Sequence, residues 1–383
     1  MSTELRLESL PPLSLYIHIP WCVRKCPYCD FNSHTTDNIP EQDYVAALLA
    51  DLDQELPFVQ GRQLQSIFFG GGTPSLFSPR AIKKILIGAA ERIPFSPNIE
   101  ITLEANPGTV EQEKFTGYQQ AGVNRLSIGV QSFNTSHLKA LGRIHSNEEA
   151  IKAALSATQA GITNFNIDLM HGLPDQTAGQ ALSDLRQAIE LNPTHLSWYQ
   201  LTIEPNTAFY SSPPILPEDD QLADIQQAGE ELLKVSGLNQ YEISAYSRLG
   251  KQAKHNINYW EFGDYIGIGA GAHGKITSLT EQSIHRRWKT RTPKDYLAAD
   301  KNALAGSKAI SPGELPLEFL MNALRLNEGF DKNIFQQRAG LYFSVIASSI
   351  EKLIQQKLLQ ENGQVISTTE VGRRFLNTIL LEF

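Results

Sequence analysis

Hydrophobic residues in the first half of the chain follow two alternating patterns. Short apolar runs rich in β-branched and aromatic residues predict strands at Leu13–Ile19, Ser66–Phe69, Ile99–Glu104, Arg125–Val130, Asn164–Met170 and His195–Ile203. Stretches with apolar residues at helical spacing lie between them and predict helices at Glu41–Leu56, Asn147–Ala160 and Gly179–Leu191. This alternation predicts the α/β class: a parallel sheet arranged as a partial (β/α)6 TIM-like barrel, with a site where the carboxyl ends of the strands meet.

Two further strand-like runs, Tyr241–Tyr246 and Tyr265–Ile268, either extend this sheet or form a small cap on it. The proline-rich stretch Glu204–Asp220 predicts a loop, because proline lacks a backbone N–H and interrupts regular structure.

The pattern changes after about Thr292. It predicts two helices, a hairpin turn, and a capping box from Ser367 to Glu370 that begins a last helix: Leu315–Leu326, Leu341–Leu358, Asn362-Gly363 and Glu370–Leu381. Helices followed by a small hairpin predict a winged-helix-like α+β domain. We therefore divide the chain into a short N-terminal extension (1–13), the barrel with its cap (14–292) and the C-terminal domain (293–383). No basic recognition helix is visible, which favours a packing module over a DNA-binding one.

Composition narrows the class of protein. The 383 residues are 41% hydrophobic and 19% charged, as in soluble globular proteins. No apolar run reaches the ~20 residues that span a bilayer, and the N-terminus lacks the apolar stretch of a signal peptide, so we predict a cytoplasmic protein without a transmembrane segment. The net charge of −8 disfavours a nucleic-acid partner. The basic stretch 284–291 is predicted to be a solvated loop.

The most informative residues are the three cysteines, Cys22, Cys26 and Cys29, which fall within eight consecutive residues just after the first strand. An odd number of cysteines in a reducing compartment does not indicate disulfides. Three thiolates at this spacing can hold three corners of a cubane iron–sulfur cluster and leave the fourth iron open. The alternative is a structural zinc site with His34 as the fourth ligand.

The C-x3-C-x2-C motif resembles the signature of the radical S-adenosylmethionine (SAM) enzymes. The resemblance implies a 4Fe-4S cluster at the three cysteines, whose open iron binds SAM and whose electron cleaves it to methionine and a 5′-deoxyadenosyl radical. Segments 15–22, 70–74 and 168–174 are similar to one branch of that superfamily. This branch contains the oxygen-independent coproporphyrinogen III dehydrogenase and the heme chaperones, and the resemblance covers nearly the whole chain.

The same resemblance implies which residues contact SAM. It places three residues near the cluster-bound molecule: Tyr16, Gly71 and Glu104. It places six more around the remaining adenosyl region, or around a second SAM molecule: Tyr28, Gly72, Thr73, Gln131, Arg143 and Asp168. From the residues alone, the glycines let backbone groups approach a ligand closely, and polar side chains at strand ends can bind ribose or adenine. Taken singly, each is also compatible with a turn, a cap or a surface position.

Two features distinguish the chain from the dehydrogenase. Phe31 stands where that enzyme has a fourth cysteine, and only about a dozen residues precede the first strand, a shorter segment than in the dehydrogenase. Both features match the chaperone branch and put the decarboxylation of coproporphyrinogen in doubt.

A third feature concerns heme itself. His255-Asn-Ile-Asn-Tyr259-Trp260 resembles the HNxxYW motif of the chaperones. The His255 imidazole is a competent axial ligand for heme iron, and the two aromatic rings offer flat apolar faces to a porphyrin. His273 is a rival ligand, and a packed, hydrogen-bonded histidine is the structural alternative.

The sequence therefore predicts a heme chaperone that delivers heme to acceptor hemoproteins and carries the cluster, SAM and heme, with an electron donor for the cluster as a further partner. Two alternatives stay open: a coproporphyrinogen III dehydrogenase, and a radical SAM enzyme acting on another substrate. No catalytic residue is assigned.

Overall fold

A large mostly parallel sheet organises the fold of this computed structural model, which describes residues 5–36, 38–108, 112–299 and 302–383. The strands are β1 (Leu13–Ile19), β2 (Trp21–Cys22), β3 (His34–Thr35), β4 (Leu64–Gly71), β5 (Phe95–Ala105), β6 (Arg125–Gln131), β7 (Phe165–His171), β8 (His195–Gln200), β9 (Asn239–Glu242), β10 (Ala245–Ser247), β11 (Asp264–Ile268), β12 (His273–Ser278), β13 (Ser283–Lys289), β14 (Leu304–Ala309), β15 (Phe330–Asp331), β16 (Leu359–Asn362) and β17 (Val365–Thr368).

The helices cover the sheet and build the C-terminal part of the chain. They are α1 (Glu41–Glu55), α2 (Pro79–Arg92), α3 (Gln112–Ala121), α4 (Thr135–Ala140), α5 (Asn147–Gln159), α6 (Ala178–Glu190), α7 (Ala208–Ser211), α8 (Asp219–Val235), α9 (Lys254–Trp260), α10 (Pro293–Leu297), α11 (Leu315–Ala323), α12 (Lys332–Ala339), α13 (Ala347–Gln355), α14 (Glu370–Arg374) and α15 (Leu376–Leu380).

The strand order in the described residues is β14-β13-β12-β11-β1-β4-β5-β6-β7-β8-β10-β9. Neighbouring strands in the series β1, β4, β5, β6, β7 and β8 pair in parallel, and β11 pairs in parallel with β1. The predicted α/β fold with a partial barrel is therefore confirmed. Leu13, Leu15, Ile17 and Ile19 are fully buried, because helices such as α1 and α2 cover the outer face of the parallel sheet.

All six strands predicted in the first half are present, although β8 ends at Gln200 rather than at Ile203. The run Tyr241–Tyr246 contributes to two strands, β9 and β10, and the Tyr265–Ile268 run is β11. The predicted loop Glu204–Asp220 contains the short helix α7 and ends at the first turn of α8.

The basic stretch 284–291 is not the solvated loop that we predicted, because most of it is strand β13. Lys289 Nζ lies 2.5 Å from Asp51 Oδ1 and 2.6 Å from Glu55 Oε1, and Arg287 also pairs with Glu55. The two acidic side chains come from α1, and Lys289 is buried. Burial of these cations is possible because each has a carboxylate partner.

The C-terminal part packs around a second hydrophobic core, built mainly from α11, α12, α13, α15 and the small sheet β15-β17-β16, and Leu7, Phe262 and Ile284 also belong to it. The order helix, strand, two helices, hairpin matches the winged-helix-like α+β arrangement that we predicted. The domain boundary at residue 292 stays a prediction, and β14 still pairs with β13 of the large sheet. No helix in the described part of the chain is long and apolar enough to cross a membrane.

Two helix predictions in this part are wrong in detail. The stretch Leu341–Leu358 is divided into a 3-10 turn, Phe343–Val345, and α13. The last helix is capped by Thr369, whose Oγ1 accepts the Gly372 N–H at 2.9 Å, and not by the predicted capping box. Ser367 belongs to strand β17 instead. The helix begins at Glu370 as predicted, but the predicted stretch is divided into α14 and α15.

Candidate cofactor and ligand site

The three cysteines lie on the loop that follows β1, and all three are free and partly exposed. The short strands β2 and β3 pair with each other and close this loop at its base. Burial raises the pKa of the Cys22 and Cys29 thiols. Among the described residues, no three His, Cys, Asp or Glu side chains are grouped as they would be around a single metal ion. A cubane needs no such convergence, because its three thiolates bind three different irons.

Hydrogen bonds connect two of the cysteines to the strand ends of the barrel. Thr73 Oγ1 lies 3.5 Å from Cys22 Sγ, and Arg143 Nη1 donates to Cys26 Sγ at 3.8 Å. Asn106 joins the two donors: its Nδ2 donates to Thr73 Oγ1 at 3.0 Å, and its Oδ1 accepts from Arg143 Nη2 at 2.7 Å. Donors aimed at sulfur stabilise thiolate ligands, so these residues fit an iron–sulfur cluster held at this loop. Sequence reasoning missed Asn106 as a site residue, although it lies two residues beyond Glu104 at the same strand end.

Gly71 and Gly72, at the end of β4, allow the strand end to pack closely against the cysteine loop. The Gly72 N–H donates to Ile19 O at 2.8 Å, and a Cβ at Gly72 would lie 2.5 Å from Trp21 O. Gly71 has a φ of +112°, and a Cβ there would lie 2.6 Å from the His18 ring. The contacts that require these glycines are therefore contacts within the protein. Their predicted contact with SAM stays a prediction.

Three predicted polar residues lie on neighbouring strands: Glu104 and Gln131 lie at or next to the ends of β5 and β6, and Asp168 lies in the middle of β7. Burial and the nearby Asp168 raise the pKa of Glu104 to about 8, although the Gly71 N–H opposes this shift. Asp168 accepts hydrogen bonds from Ser127 at 3.0 Å and Asn166 at 2.7 Å, and burial raises its pKa.

Gln131 accepts a hydrogen bond from the Tyr199 hydroxyl at 2.8 Å and has a φ of +70°. A non-glycine residue in this region is strained, and such strain is typical of functional sites. Together with Thr73, Asn106 and Arg143, the acceptors Gln131 and Asp168 form what we call the strand-end site.

The two predicted tyrosines have different neighbours. Tyr16 lines a large cavity and its hydroxyl lies 2.9 Å from His18 Nδ1. Tyr28 packs against Phe209, with ring centroids 6.4 Å apart, in a small apolar cluster that also contains Leu141. The structure therefore does not bring these two side chains together.

The large cavity has a volume of about 700 Å³ and lies beside the cysteine loop. One side is made by barrel residues, Tyr16, Gly71 and Glu104. Five further lining residues form what we call the outer wall: Phe31, Tyr265, His273, Trp288 and Arg291. Ligand cavities typically occupy about 300–1,000 Å³, so this one can admit a small molecule of considerable size.

The structure places His255 in the core rather than at a ligand-accessible position. Its Nδ1 lies 3.1 Å from Ser66 Oγ and its Nε2 2.8 Å from the Tyr259 hydroxyl, and its ring stacks on Phe68 at 4.9 Å. Burial lowers the pKa of His255 to about 3. Both ring nitrogens are occupied, so this histidine cannot bind iron in the conformation seen here. The residue fits the packed, hydrogen-bonded alternative.

Comparisons with known proteins place this geometry in a class. Residues 16–188 match the family described as the radical SAM superfamily, and residues 310–375 match the HemN C-terminal domain. A solved structure of the coproporphyrinogen III oxidase HemN from Escherichia coli superimposes with a TM-score of 0.81 at 25% identity, over 97% of this chain and 90% of that one. The fold and the cysteine loop are thus those of a radical SAM protein.

Curated relatives narrow the class further. The chain is 54% identical to the protein named heme chaperone HemW of Escherichia coli strain K12, over 98% of both chains. It is also 54% identical to the protein of the same name from Haemophilus influenzae, again over 98% of both. The chain belongs to the HemW family of radical SAM proteins.

Proposed function

We propose that this protein binds heme and delivers it to acceptor hemoproteins. We further propose that it holds a 4Fe-4S cluster on Cys22, Cys26 and Cys29, with SAM bound near Tyr16, Gly71 and Glu104 and at the strand-end site. The observation that carries the proposal is the similarity, over nearly the full length, to proteins named heme chaperones. An electron donor for the cluster and a cytoplasmic location belong to the same proposal.

The chain's own residues prepare the cofactor end of the site. Thr73 and Arg143 direct donors at cysteine sulfurs, which would orient the ligands and stabilise their thiolate form. A bound cluster with three protein ligands supplies one electron and an open iron for SAM. Glu104, with its pKa near 8, is largely protonated at neutral pH in the chain alone. A cationic ligand group next to it would favour the carboxylate, so SAM would lower this pKa.

The dehydrogenase alternative is not favoured. Phe31 is 61% exposed at the large cavity, where a fourth thiol would stand in the dehydrogenase pattern. The match at 54% identity over nearly the full length is to proteins named for heme delivery and not for coproporphyrinogen oxidation. An anaerobic assay with SAM, reductant and coproporphyrinogen should therefore yield no protoporphyrinogen over many hours.

The test of the proposal is a hemin titration of the anaerobically reconstituted protein, followed by a transfer assay with an apo-hemoprotein. The transfer is measured with the two proteins mixed, and again with the two proteins separated by a membrane that only free hemin can cross. We expect a saturable change in the Soret band and transfer that requires contact between the two proteins. A parallel assay for 5′-deoxyadenosine reports on SAM cleavage. Failure of the cluster-loaded protein to bind hemin would refute the heme part of the proposal while leaving the cofactor part intact.

A further inference from the structure

The outer wall carries side chains that the cofactor chemistry does not use. Phe31 exposes 61% of its side chain, although an aromatic ring gains stability when covered. His273 is exposed on the same cavity, and within the described ranges neither of its ring nitrogens has a hydrogen-bond partner. Arg291 is exposed, and its guanidinium forms no ion pair with any described residue. An open imidazole, an uncovered aromatic ring and a cation without a carboxylate partner therefore share one cavity.

The strand register explains why these side chains meet. His273 in β12 lies directly opposite Trp288 in β13, and residues directly opposite in antiparallel strands project from the same face. Arg291 follows β13 after one residue of loop, and Asn32 Nδ2 binds its carbonyl at 2.8 Å. This contact holds the segment after the third cysteine, including Phe31, against the end of β13.

We propose that His273 is the axial ligand of heme iron, with the porphyrin lying in the large cavity between Phe31 and Trp288 and its propionates directed at Arg291. This inference rests on the proposed function, because it locates the heme that the protein is proposed to carry. Imidazole nitrogen is an established ligand of heme iron, and planar aromatic side chains cover an apolar macrocycle. The guanidinium supplies the forked donor geometry that carboxylates prefer.

The accessibility of the two candidate histidines decides between them. His255 is 2% exposed, and both its ring nitrogens are engaged by neighbours. His273 is exposed and open, and burial together with Arg286 and Arg291 lowers its pKa, which keeps the imidazole neutral and able to bind a metal. Ligation by His273 requires no rearrangement of the core, whereas ligation by His255 requires the loss of two buried hydrogen bonds.

The decisive experiment titrates hemin into the cluster-loaded full-length protein and its His273→Ala variant, with His285→Ala as the matched control. His285 lies on β13 outside the cavity and is partly exposed, so its removal changes the histidine content without touching the outer wall. We expect His273→Ala to lose the histidine-ligated Soret and electron paramagnetic resonance signature and to raise the Kd at least about tenfold. Added imidazole should restore the spectrum, and His285→Ala should match the wild type.

A second comparison tests the propionate contact. Wild-type protein should bind hemin more tightly than hemin dimethyl ester, and Arg291→Gln should reduce this preference while it keeps the histidine-ligated spectrum. An unchanged spectrum and affinity in His273→Ala, or loss of the signature only in a folded His255→Ala variant, would overturn the assignment but not the function. Absence of hemin binding by the wild type would overturn both.

Discussion

The strand-end site and the outer wall face the same cysteine loop but treat their polar groups in opposite ways. In the strand-end site, Thr73, Asn106 and Arg143 bind one another and two cysteines, and Asp168 is held by two neighbouring side chains. On the outer wall, the His273 ring has no hydrogen-bond partner among the described residues, and the Arg291 guanidinium has only a 3.4 Å contact with an amide oxygen. Hydrogen-bonded groups are preorganised for a ligand of fixed geometry.

The difference matches the two kinds of ligand proposed here. A resident cofactor benefits from a rigid site, because rigid groups lose little entropy when it binds. Heme that is delivered to another protein must be released again. The outer wall offers it one metal ligand and one cation, so few contacts have to be broken on release. Under this proposal, tight binding and exchange are assigned to two different sites near the cysteine loop. Mutations in one site should therefore change the binding of its own ligand and leave the binding of the other ligand largely unchanged.

Replacement of Cys26 by serine should have the largest effect. The proposed cluster has only three protein ligands, and the variant would leave it two thiolates. We therefore expect nearly complete loss of iron and sulfide after reconstitution. Hemin binding should persist, because the outer wall contains no cysteine ligand. The iron content, the absorbance of the cluster and a hemin titration measure the two sites in one preparation. Equal loss of both would show that the sites depend on each other.

His255→Ala should destabilise the protein strongly. The change removes the ring that bridges Ser66 and Tyr259. The Ser66 hydroxyl keeps Ser14 Oγ as a partner at 2.8 Å, whereas the Tyr259 hydroxyl loses its bond to the imidazole. An unsatisfied buried polar group costs about 1–3 kcal/mol, and the cavity left by the buried ring adds to this cost, so we expect a loss of about 3 kcal/mol in the free energy of unfolding. Urea unfolding of the variant beside His285→Ala, which should stay within about 0.5 kcal/mol of the wild type, provides the measurement. A wild-type stability for His255→Ala would mean that this histidine is conformationally free after all.

Sequence patterns predicted the barrel well because each short parallel strand carries buried apolar residues on its outer face and is followed by a helical stretch that packs on that face. They predicted β13 badly: its Arg286, Arg287 and Lys289 look solvated in the sequence, and only the fold shows that carboxylates far away in the chain pair with them. The same limit applies to the site. The cysteines can be recognised from their spacing in the sequence. The contacts of Asn106 and the exposure of His273 depend instead on which strand ends and loops the fold brings together.

Gly72→Ala should damage the contact between strand β4 and the cysteine loop. The added Cβ would lie 2.5 Å from the backbone oxygen of Trp21, so the backbone must move. Overpacking of this kind costs about 1–3 kcal/mol and should also lower the yield of reconstituted cluster. Gly179→Ala is the matched control, because Gly179 lies in helix α6 and a Cβ there would approach its nearest neighbour, Thr177 Oγ1, only to 4.0 Å. The control should gain up to about 1 kcal/mol through higher helix propensity. Similar melting temperatures for the two variants would contradict the packing role of Gly72.

The last expected effect concerns Glu104 and depends on pH. Its pKa is about 8 in the folded chain against an ordinary value of 4.5, so between these values the folded state binds a proton that the unfolded state has released. Its contribution to stability is complete below pH 4.5 and is lost as the pH rises towards 8, with a slope of at most about 1.4 kcal/mol per pH unit. Glu104→Gln lacks this titration, so in urea unfolding of cofactor-free protein the variant should gain stability relative to the wild type between pH 5 and 8. SAM bound to the cluster-loaded protein should reduce the difference, because a cationic group beside Glu104 favours its carboxylate. If the difference in free energy of unfolding between variant and wild type stayed constant across this range, Glu104 would already be ionised at its lower end. The strand ends would then be as open to water as the outer wall.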